Sequence, residues 1–391
     1  IHFLPSYYFL KKRLFIFKLN FIYMSINDFV KHISERDRSI FLDDFKNRKK
    51  DNFKEGDDDI QLIADFTEYS PLHNGHFHCM NVAKSKFPDG LFVAIVPGLF
   101  ERSGRGLPYI LPREVRAEIA ISVGADIVVE GPPMGIMGSG QYSLCLSRMF
   151  KALNTDIIPR GYNPVNGFEK ILERISLGHG ISPKPYKIVD METKEVLLRD
   201  KLAEDNYVIV SFSKSLKKIN FDFKDKFLFV KRIEGVSGSK IRESVSKNNF
   251  DNVAEMMPPK TIEVLKREIG KDRAPLHDLR NDHEIVKNAN DLNFDKLKGL
   301  NLFSEDLARR IVDNRPYGSV SDVYNNLNQG FSKFFKTRIL SVLEANISGE
   351  TVSSYIDYYP SVIRVLDYRD NEKLGLFKEK IKNSNIKLFK G

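Results

Sequence analysis

Four side chains able to bind phosphate or metal stand close together in the segment HNGHFHC, residues 73–79. His73 and His76 are three residues apart, so on a helix their imidazoles lie on the same side of one turn. Imidazoles at a helix N-terminus can donate hydrogen bonds to phosphate oxygens, and the exposed N–H groups and dipole of the helix also favour an anion there. Gly75 allows the backbone to approach such a ligand closely. The segment therefore predicts a phosphate site in which His73 and His76 are catalytic.

Zinc binding is the competing interpretation of this segment. His73, His76, His78 and Cys79 are acceptable zinc ligands. A helix start would spread these side chains apart, however, and the sequence offers no second cluster to complete a tetrahedral site. His78 is also explained by a purely structural role. The segment alone leaves phosphate and zinc open, and the expected geometry favours phosphate.

A second segment, SGSKIR at residues 237–242, combines helix-capping residues with cations. Ser237 or Ser239 can cap a helix, which explains the serines without any function. Lys240 and Arg242 follow within the first turn, where the helix dipole disfavours positive charge. A bound polyphosphate would offset this conflict, so the segment is a second candidate for phosphate binding.

The elements that must position these residues follow from apolar runs that alternate with amphipathic segments after residue 60. The pattern predicts strands at 60–66, 91–98, 125–132, 155–161, 206–212 and 226–233, with helices at 75–86, 111–123 and 140–153. Strands alternating with helices indicate βαβ units and a Rossmann-like α/β fold with a parallel sheet. The glycine-rich segment at 135–140 then follows a strand, where it is either a phosphate loop or an ordinary turn.

On either side of this α/β region, the sequence pattern predicts a helical N-terminal extension and an all-α C-terminal domain. Helical spacing at 25–50 is followed by a charge-dense linker, and a polar stretch at 271–284 marks a second boundary. We therefore expect an extension over 1–59, a nucleotide-binding domain over 60–270 and a helical domain over 271–391. Basic residues interrupt the apolar segment 1–23, which suits neither a membrane span nor a signal peptide. Our hypothesis is that translation begins at Met24.

Composition sets weak limits on partners and compartment. The chain has 391 residues, 61 of them basic and 52 acidic, which gives a net charge of +9. This charge permits a polyanionic partner such as nucleic acid, although a lysine-rich proteome would explain it equally. Two cysteines cannot form a disulfide framework, so we expect a reducing, cytoplasmic setting and no membrane association.

HNGH at 73–76 and SGSKIR at 237–242 together resemble the two motifs of the HIGH-motif nucleotidyltransferase superfamily. Within it, the chain is most similar to the tRNA(Met) cytidine acetate ligase family. The similarity rests on an ordered series: EYSPLHNGH (68–76), VPGLFERSGRG (96–106), PREVRAEIAISVGADIVVEGPP (112–133) and KALNTDIIPRG (151–161). Cys145 stands where that family has a small residue, and the stretch 177–203 is unlike the family. These departures bear on the acyl substrate rather than on nucleotide binding.

The resemblance implies an enzyme that uses ATP, with Mg²⁺ as assistant, to activate a carboxylate such as acetate. The acyl-adenylate would then acylate a cytidine of tRNA. His73 and His76 would stabilise charge on the phosphates during the first step. The ATP-binding residues implied by the resemblance are Glu68, Tyr69, Asn74, Gly75, Asn206, Arg232, Ser239, Lys240 and Arg242.

The C-terminal region is the predicted tRNA-binding part. Lys333, Lys336 and Arg338 alternate with phenylalanines, a combination that suits phosphate contact and stacking on unpaired bases. Residues 297–323 also resemble a helix-hairpin-helix unit that grips a nucleic-acid backbone, although only Gly299 stands where a glycine pair is usual. An ordinary amphipathic helix with core phenylalanines explains residues 331–338 equally.

Two other functions are compatible with the sequence. The first is an adenylyl- or cytidylyltransferase that acts on a small phosphorylated metabolite at the same site and needs no tRNA. The second is a nucleic-acid-binding protein that retains the nucleotide fold without catalysis. Pyrophosphate exchange separates the three. The ligase predicts exchange that depends on a carboxylate, and the transferase predicts exchange that needs a phosphorylated metabolite. The binding protein predicts no exchange with any acceptor, alongside tight tRNA binding.

Overall fold

A computed structural model describes residues 25–47, 59–277, 279–381 and 385–389 of the chain. The hypothesis on residues 1–23 therefore lies outside the described residues. At the centre is a five-stranded sheet of order β1-β2-β3-β9-β10. Its strands are β1 Leu62–Phe66, β2 Leu91–Pro97, β3 Ile127–Gly131, β9 Ile363–Tyr368 and β10 Ile386–Leu388. Strands β1, β2 and β3 are parallel and fully buried, as expected for strands covered by helices on both faces.

The parallel arrangement continues beyond β1 through β4 (Ile158–Tyr162) and β8 (Phe227–Lys231). These two strands pair in parallel, and the Ala64 amide donates to the Ile157 carbonyl at 2.9 Å, which brings β4 alongside β1. The predicted strands at 60–66, 91–98, 125–132, 155–161 and 226–233 are therefore confirmed. The helices between them are also confirmed, as α2 Asn74–Lys86, α3 Arg113–Val123 and α4 Ser139–Ala152.

The predicted strand at 206–212 is wrong, because this run lies inside helix α6, Glu204–Lys218. Its buried positions include 206, 209, 210, 213 and 216, which is helical spacing. A short apolar run cannot be distinguished from a buried helix segment by periodicity alone. The helix matters for function because its first turn borders the candidate site.

The predicted α/β fold with a helical C-terminal region is confirmed, with one difference near the chain end. Strands β9 and β10 return to the central sheet, and β9 pairs antiparallel to β3, so the region is not wholly α-helical. The remaining helices are α1 Ile26–Lys46, α5 Phe168–Ser176, α7 Gly238–Ser246, α8 Pro259–Ile269, α9 Asp282–Asp291, α10 Phe294–Gly299, α11 Glu305–Asp313, α12 Val320–Asn326, α13 Lys333–Ala345, α14 Gly349–Asp357 and α15 Asn371–Ile381.

The stretch 177–203 forms a small antiparallel sheet beside α6. Its strands are β5 Ile181–Lys184, β6 Lys187–Asp190 and β7 Val196–Leu198. Ile181 and Ile188 are buried, and the Ile181 amide donates to the Ser213 hydroxyl on α6 at 3.1 Å. This sheet is therefore anchored to the helix that borders the site.

One hydrophobic core joins the three predicted regions of the chain. It includes Phe41 from α1, Ile95 from β2 and Phe377 from α15. Two ion pairs with little exposure also link them: Arg113 to Asp37 at 2.8 Å and Arg102 to Glu344 at 2.6 Å. Buried charges require such partners. No helix within the described part of the chain has the length and apolar composition needed to cross a membrane.

Candidate active site

A cleft of about 280 Å³ opens where β1 and β4 end and where helices α2, α6 and α7 begin. The carboxyl ends of parallel strands are the usual location of ligand sites in open α/β sheets. Both motif segments contribute to this cleft. Its polar lining includes Asp65, Glu68, Ser70, His73, His76, Arg105, Arg160, Glu204, Asp205, Arg232 and Arg242.

The two histidines have a defined arrangement at the start of α2. His73 is the N-cap residue, and its Nδ1 accepts a hydrogen bond from the Gly75 amide at 3.2 Å. Likewise, the His73 amide donates to Nδ1 of His76 at 3.3 Å. The imidazole rings stack with centroids 3.7 Å apart. Since both Nδ1 atoms are acceptors, a neutral imidazole carries its hydrogen on Nε2 in each residue.

Burial keeps both imidazoles neutral. It lowers the pKa of His73 to about 4, and the nearby Arg232 and Arg242 contribute in the same direction. Burial also lowers the pKa of His76 well below its ordinary value, followed by the effect of His73 itself. The pair can therefore donate two Nε2 hydrogens near neutral pH without adding charge to the cleft.

The SGSKIR segment brings a second helix N-terminus to the same point. Ser237 caps α7 by accepting from the Lys240 amide at 3.3 Å. A Cβ atom at Gly238 would lie 3.5 Å from Nε2 of His73, so the N-termini of α2 and α7 meet at the histidine pair. Two converging N-termini strengthen the preference for an anion. Arg242 lines the cleft, whereas Ser239 and Lys240 are exposed outside it.

Four arginines surround the cleft, of which the sequence analysis identified Arg232 and Arg242. Arg160 on β4 donates to the Phe66 carbonyl at 2.5 Å and lies 3.4 Å from the carboxylate of Asp65. Arg105 lies in the loop after β2. These arginines concentrate positive charge around the histidine pair.

Carboxylates from the first turn of α6 cover two of these arginines. Glu204 pairs with Arg105, its Oε1 lying 3.0 Å from Nε, and Asp205 pairs with Arg232. Glu204 is 61% exposed, so solvent weakens its ion pair. A polyphosphate entering the cleft can compete for these arginines.

Asp65 is a buried carboxyl group at the end of β1 that the sequence analysis missed. Burial raises its pKa to about 7, and Arg160 partly opposes the shift. An aspartate within the apolar run LIADF was the available signal, since a buried charge is costly without a function or partner. No local sequence pattern indicates the other four charged residues of the cleft, because only the fold brings them there: Arg105, Arg160, Glu204 and Asp205.

The other predicted ATP-binding residues divide into cleft and supporting positions. Glu68 lines the cleft, and its Oε1 accepts from the Gly104 amide at 3.1 Å. Tyr69 is buried with its ring edge-on to His76, at 5.3 Å between centroids. Asn74 donates to the Glu255 carbonyl at 2.8 Å. Tyr69 and Asn74 therefore support the turn and do not line the cleft.

Asn206 is buried beside the cleft rather than in it. Its Oδ1 accepts from the Asn163 amide and its Nδ2 donates to the Asn163 carbonyl, both at 2.9 Å. Both ends of the amide are thus engaged with the loop after β4. The observed contacts give Asn206 a positioning role.

The predicted nucleic-acid-binding segment packs next to the cleft. The Arg105 guanidinium lies 5.4 Å from the ring centroid of Phe334, which is 41% exposed. Arg338 donates to the Met137 carbonyl at 3.4 Å. Lys333 and Lys336 lie on the first turn of α13, and the Lys336 ammonium is 5.1 Å from the ring centroid of Tyr324. The helix thus has a core side and an exposed basic side.

The zinc interpretation finds no support in the arrangement of residues 73–79. Nδ1 of His73 and of His76 already accepts a backbone hydrogen bond. Burial raises the pKa of the Cys79 thiol, which opposes the thiolate form that binds metal. Among the described residues, a compact group of potential ligands occurs instead at His179, Asp190 and Glu192.

Comparison with known proteins agrees with this geometry. A family profile described as HIGH Nucleotidyl Transferase matches residues 61–142, which include the histidine turn. A second, described as Cytidyltransferase-related C-terminal region, matches residues 163–367. A protein of Methanocaldococcus jannaschii described only as uncharacterised is 45% identical over 82% of this chain and 90% of its own.

Relatives of named activity are more distant. The tRNA(Met) cytidine acetate ligase of Fervidobacterium nodosum is 24% identical over 84% of this chain and 83% of its own length. That of Thermotoga maritima is 25% identical over 81% of this chain and 84% of its own. The crystal structure of Thermotoga maritima TmcAL bound with alpha-thio ATP has the same fold, with a TM-score of 0.67 at 20% identity over 84% of this chain and 85% of that one.

These matches confirm the predicted superfamily and the similarity to the ligases. The HIGH Nucleotidyl Transferase profile covers β1, the histidine turn and α2, which form one side of the cleft. Together the two profiles span most of the chain, so the protein belongs to the HIGH nucleotidyltransferase family.

Proposed function

We propose that this nucleotidyltransferase is an ATP-dependent ligase that activates a carboxylate and transfers the acyl group to a cytidine of tRNA. The observation that carries the proposal is the pair of neutral imidazoles at the meeting point of two helix N-termini, surrounded by arginines. This arrangement suits a triphosphate, because it offers hydrogen-bond donors, dipoles and cations at one place. The names of the more distant relatives supply acetate and tRNA(Met) as the substrates to test.

In the first step, a carboxylate oxygen of the acyl substrate attacks the α-phosphorus of ATP. The bond from that phosphorus to the bridging oxygen breaks, and pyrophosphate leaves. Nε2 hydrogens of His73 and His76 donate to phosphate oxygens whose charge grows in the transition state. Arg242 and Arg105 balance the charge of the departing pyrophosphate. Chemistry of this type depends on positioning and electrostatics, which the preformed turn supplies.

In the second step, the exocyclic amine of a cytidine attacks the acyl carbon of the adenylate. The acyl–phosphate bond breaks, AMP leaves, and the amine loses a proton. The basic side of α13 lies beside Arg105 and is suited to hold the tRNA during this transfer. An enzyme that acts on ATP and tRNA is expected in the cytoplasm.

The residues of the cleft fit a magnesium ion bound together with the nucleotide. Asp65 and Glu68 line the cleft with carboxylate oxygens, the ligand type that Mg²⁺ prefers, and Mg²⁺ usually needs only one or two carboxylates beside the phosphates. The two residues would hold the ion on the cleft side of β1. When bound, the ion would neutralise phosphate charge.

Exchange of labelled pyrophosphate into ATP tests the proposal. The protein should catalyse exchange only when a carboxylate such as acetate is present, and the acyl group should then appear on a tRNA nucleoside by mass spectrometry. Exchange that instead requires a phosphorylated metabolite would replace the ligase with an adenylyl- or cytidylyltransferase. The match to a cytidyltransferase-related profile is the observation that favours that second candidate.

A non-catalytic nucleic-acid-binding protein is the remaining candidate. It predicts tight tRNA binding without exchange for any acceptor tested. The buried, neutral histidine pair argues against it, because nucleic-acid binding alone has no need for uncharged imidazoles at a helix start.

A further inference from the structure

A second groove lies beside the active-site cleft, between the β5–β6 turn and the start of α6. Its volume is about 390 Å³, and its walls include Pro183, Lys184, Tyr186, Lys201, Leu202 and Tyr207. Tyr186 is 78% exposed at the tip of the turn, and Tyr207 is 38% exposed on the helix. The two rings line the same groove, so their faces are accessible to a ligand that enters it. The groove therefore offers two aromatic faces to a ligand.

The groove is also positively charged. Lys184 and Lys201 line it. Lys214 and Lys218 lie further along helix α6. Partial burial lowers the pKa of Lys214, and the charges of Lys218 and Lys184 add to the effect. Within the described part of the chain, none of the four lysines forms an ion pair with a carboxylate. Their charge is thus available to an anion.

Among the described residues that line the groove, Asp200 is the acidic one, and its Oδ1 accepts from the Lys201 amide at 2.6 Å. One engaged carboxylate does not cancel the charge of the lysines. The groove therefore favours a polyanion over a neutral or cationic ligand.

Helix α6 connects the groove to the cleft. Glu204, Asp205 and Val208 line the cleft, while Tyr207 between them lines the groove. Tyr142, on the cleft side, has its pKa raised to about 12, chiefly by burial and Glu68, and Tyr207 also contributes. The groove and the cleft therefore have adjacent residues of α6 in their walls.

We propose that this groove binds an unpaired segment of the acceptor RNA, with bases stacked on Tyr186 and Tyr207 and phosphates against the lysines. The inference rests on the proposed function, because it assigns a path to the RNA that would deliver the cytidine. Alternating aromatic and basic side chains are typical of surfaces that bind single-stranded nucleic acid. An acidic peptide would satisfy the lysines but would leave the flat aromatic faces without a matched partner.

Binding of a fluorescein-labelled single-stranded RNA dodecamer and of bulk tRNA tests the inference directly. Tyr186→Leu should weaken dodecamer binding roughly fivefold or more, because a base loses its stacking surface, while Tyr186→Phe should bind like the wild type. Changing Lys184, Lys214 and Lys218 together to Ala should lower the slope of log affinity against log salt by about 2. All these side chains are at least partly exposed, so the variants should fold normally.

A matched control removes three lysines from helices α7 and α8 and their flanks: Lys247, Lys260 and Lys271, all exposed. This variant should keep most of the salt slope. Equal binding by Tyr186→Leu and Tyr186→Phe would overturn the inference, as would wild-type protein that binds polyglutamate as tightly as the dodecamer. Pyrophosphate exchange without RNA is measured in parallel. If the wild type shows no exchange with a carboxylate, the proposed function is refuted. If the wild type shows exchange but the groove variants bind RNA as tightly as the wild type, only the groove proposal is refuted.

Discussion

His73 caps helix α2 with the same ring that stacks on His76, at 3.7 Å between centroids. The cap uses Nδ1 and leaves Nε2 directed at the N-terminus of α7. One side chain thus serves both the fold and the cleft. A serine at position 73 can still cap the helix, but it has no Nε2 hydrogen to donate. Capping and catalysis can therefore be separated experimentally.

His73→Ser should retain the cap and lose the Nε2 hydrogen. We expect pyrophosphate exchange to fall by about 100-fold or more, which is the scale of one lost transition-state donor. His73→Ala should lose the same activity and, in addition, about 1 kcal/mol of unfolding free energy from the missing cap. Exchange assays and urea unfolding measure the two effects. Wild-type exchange in His73→Ser would show that the turn is not the catalytic site.

The depressed pKa of His73 makes stability depend on pH. The unfolded imidazole, near its ordinary value of 6.5, binds a proton at a pH where the folded one, at about 4, does not. Stability contributed by the neutral folded ring is therefore complete above pH 6.5 and is lost as pH falls towards 4. When the pH is lowered from 7 to 5, the titration of His73 should reduce the unfolding free energy of the wild type by roughly 2 kcal/mol.

His73→Ser removes that contribution and also the effect of His73 on His76, but burial, the largest cause, still holds the pKa of His76 below its ordinary value. The difference in unfolding free energy between wild type and variant should therefore shift by roughly 2 kcal/mol in favour of the variant between pH 7 and pH 5. Asp65 has its pKa raised and acts in the opposite direction, but it is present in both proteins and cancels. A constant difference across this range would mean that His73 titrates normally in the folded state.

The strands β1 to β4 were predictable because each is a short apolar run bounded by turn residues, a local feature. The run at 206–212 shows the limit of that approach, since its β-branched residues suit a strand but its burial follows a helix. Strand β9 lies far along the chain from its partner β3, and no local pattern indicates such pairing.

The residues of the candidate site also fall into two groups, those that lie in local motifs and those that only the fold brings together. His73, Gly75, His76 and Arg242 lie in motifs and could be found from sequence. Asp65, Arg105 and Arg160 come from separate elements that only the fold brings together. Asn206 shows the converse: its position beside the cleft was predictable, but the direction of its amide, towards the backbone of Asn163, was not.

The C-terminal basic helix α13 has separable surface and packing residues. Lys333→Ala with Lys336→Ala should weaken tRNA binding and lower the salt slope by about 1 to 2, without affecting exchange. Arg338→Ala should instead reduce stability, because its guanidinium bonds the Met137 carbonyl and lies 5.6 Å from the ring centroid of Phe335. Filter binding at several salt concentrations and thermal unfolding distinguish these effects. An unchanged slope in the double variant would leave α13 a core helix only.

The N-terminal helix α1 should be essential to the enzyme's stability rather than a dispensable extension. Asp37 is fully buried, lies 2.8 Å from Nη1 of Arg113, and accepts from the Phe100 amide at 2.8 Å. Asp37→Ala removes one of two close carboxylates from the buried Arg113, since Glu130 remains 2.9 Å from its Nε, and it also removes the acceptor of the Phe100 amide. We expect a loss of about 3 kcal/mol in unfolding free energy. Asp43→Ala on the exposed side of the same helix should cost about 0.5 kcal/mol or less. Urea unfolding compares the two, and equal stabilities would show that α1 does not depend on this ion pair.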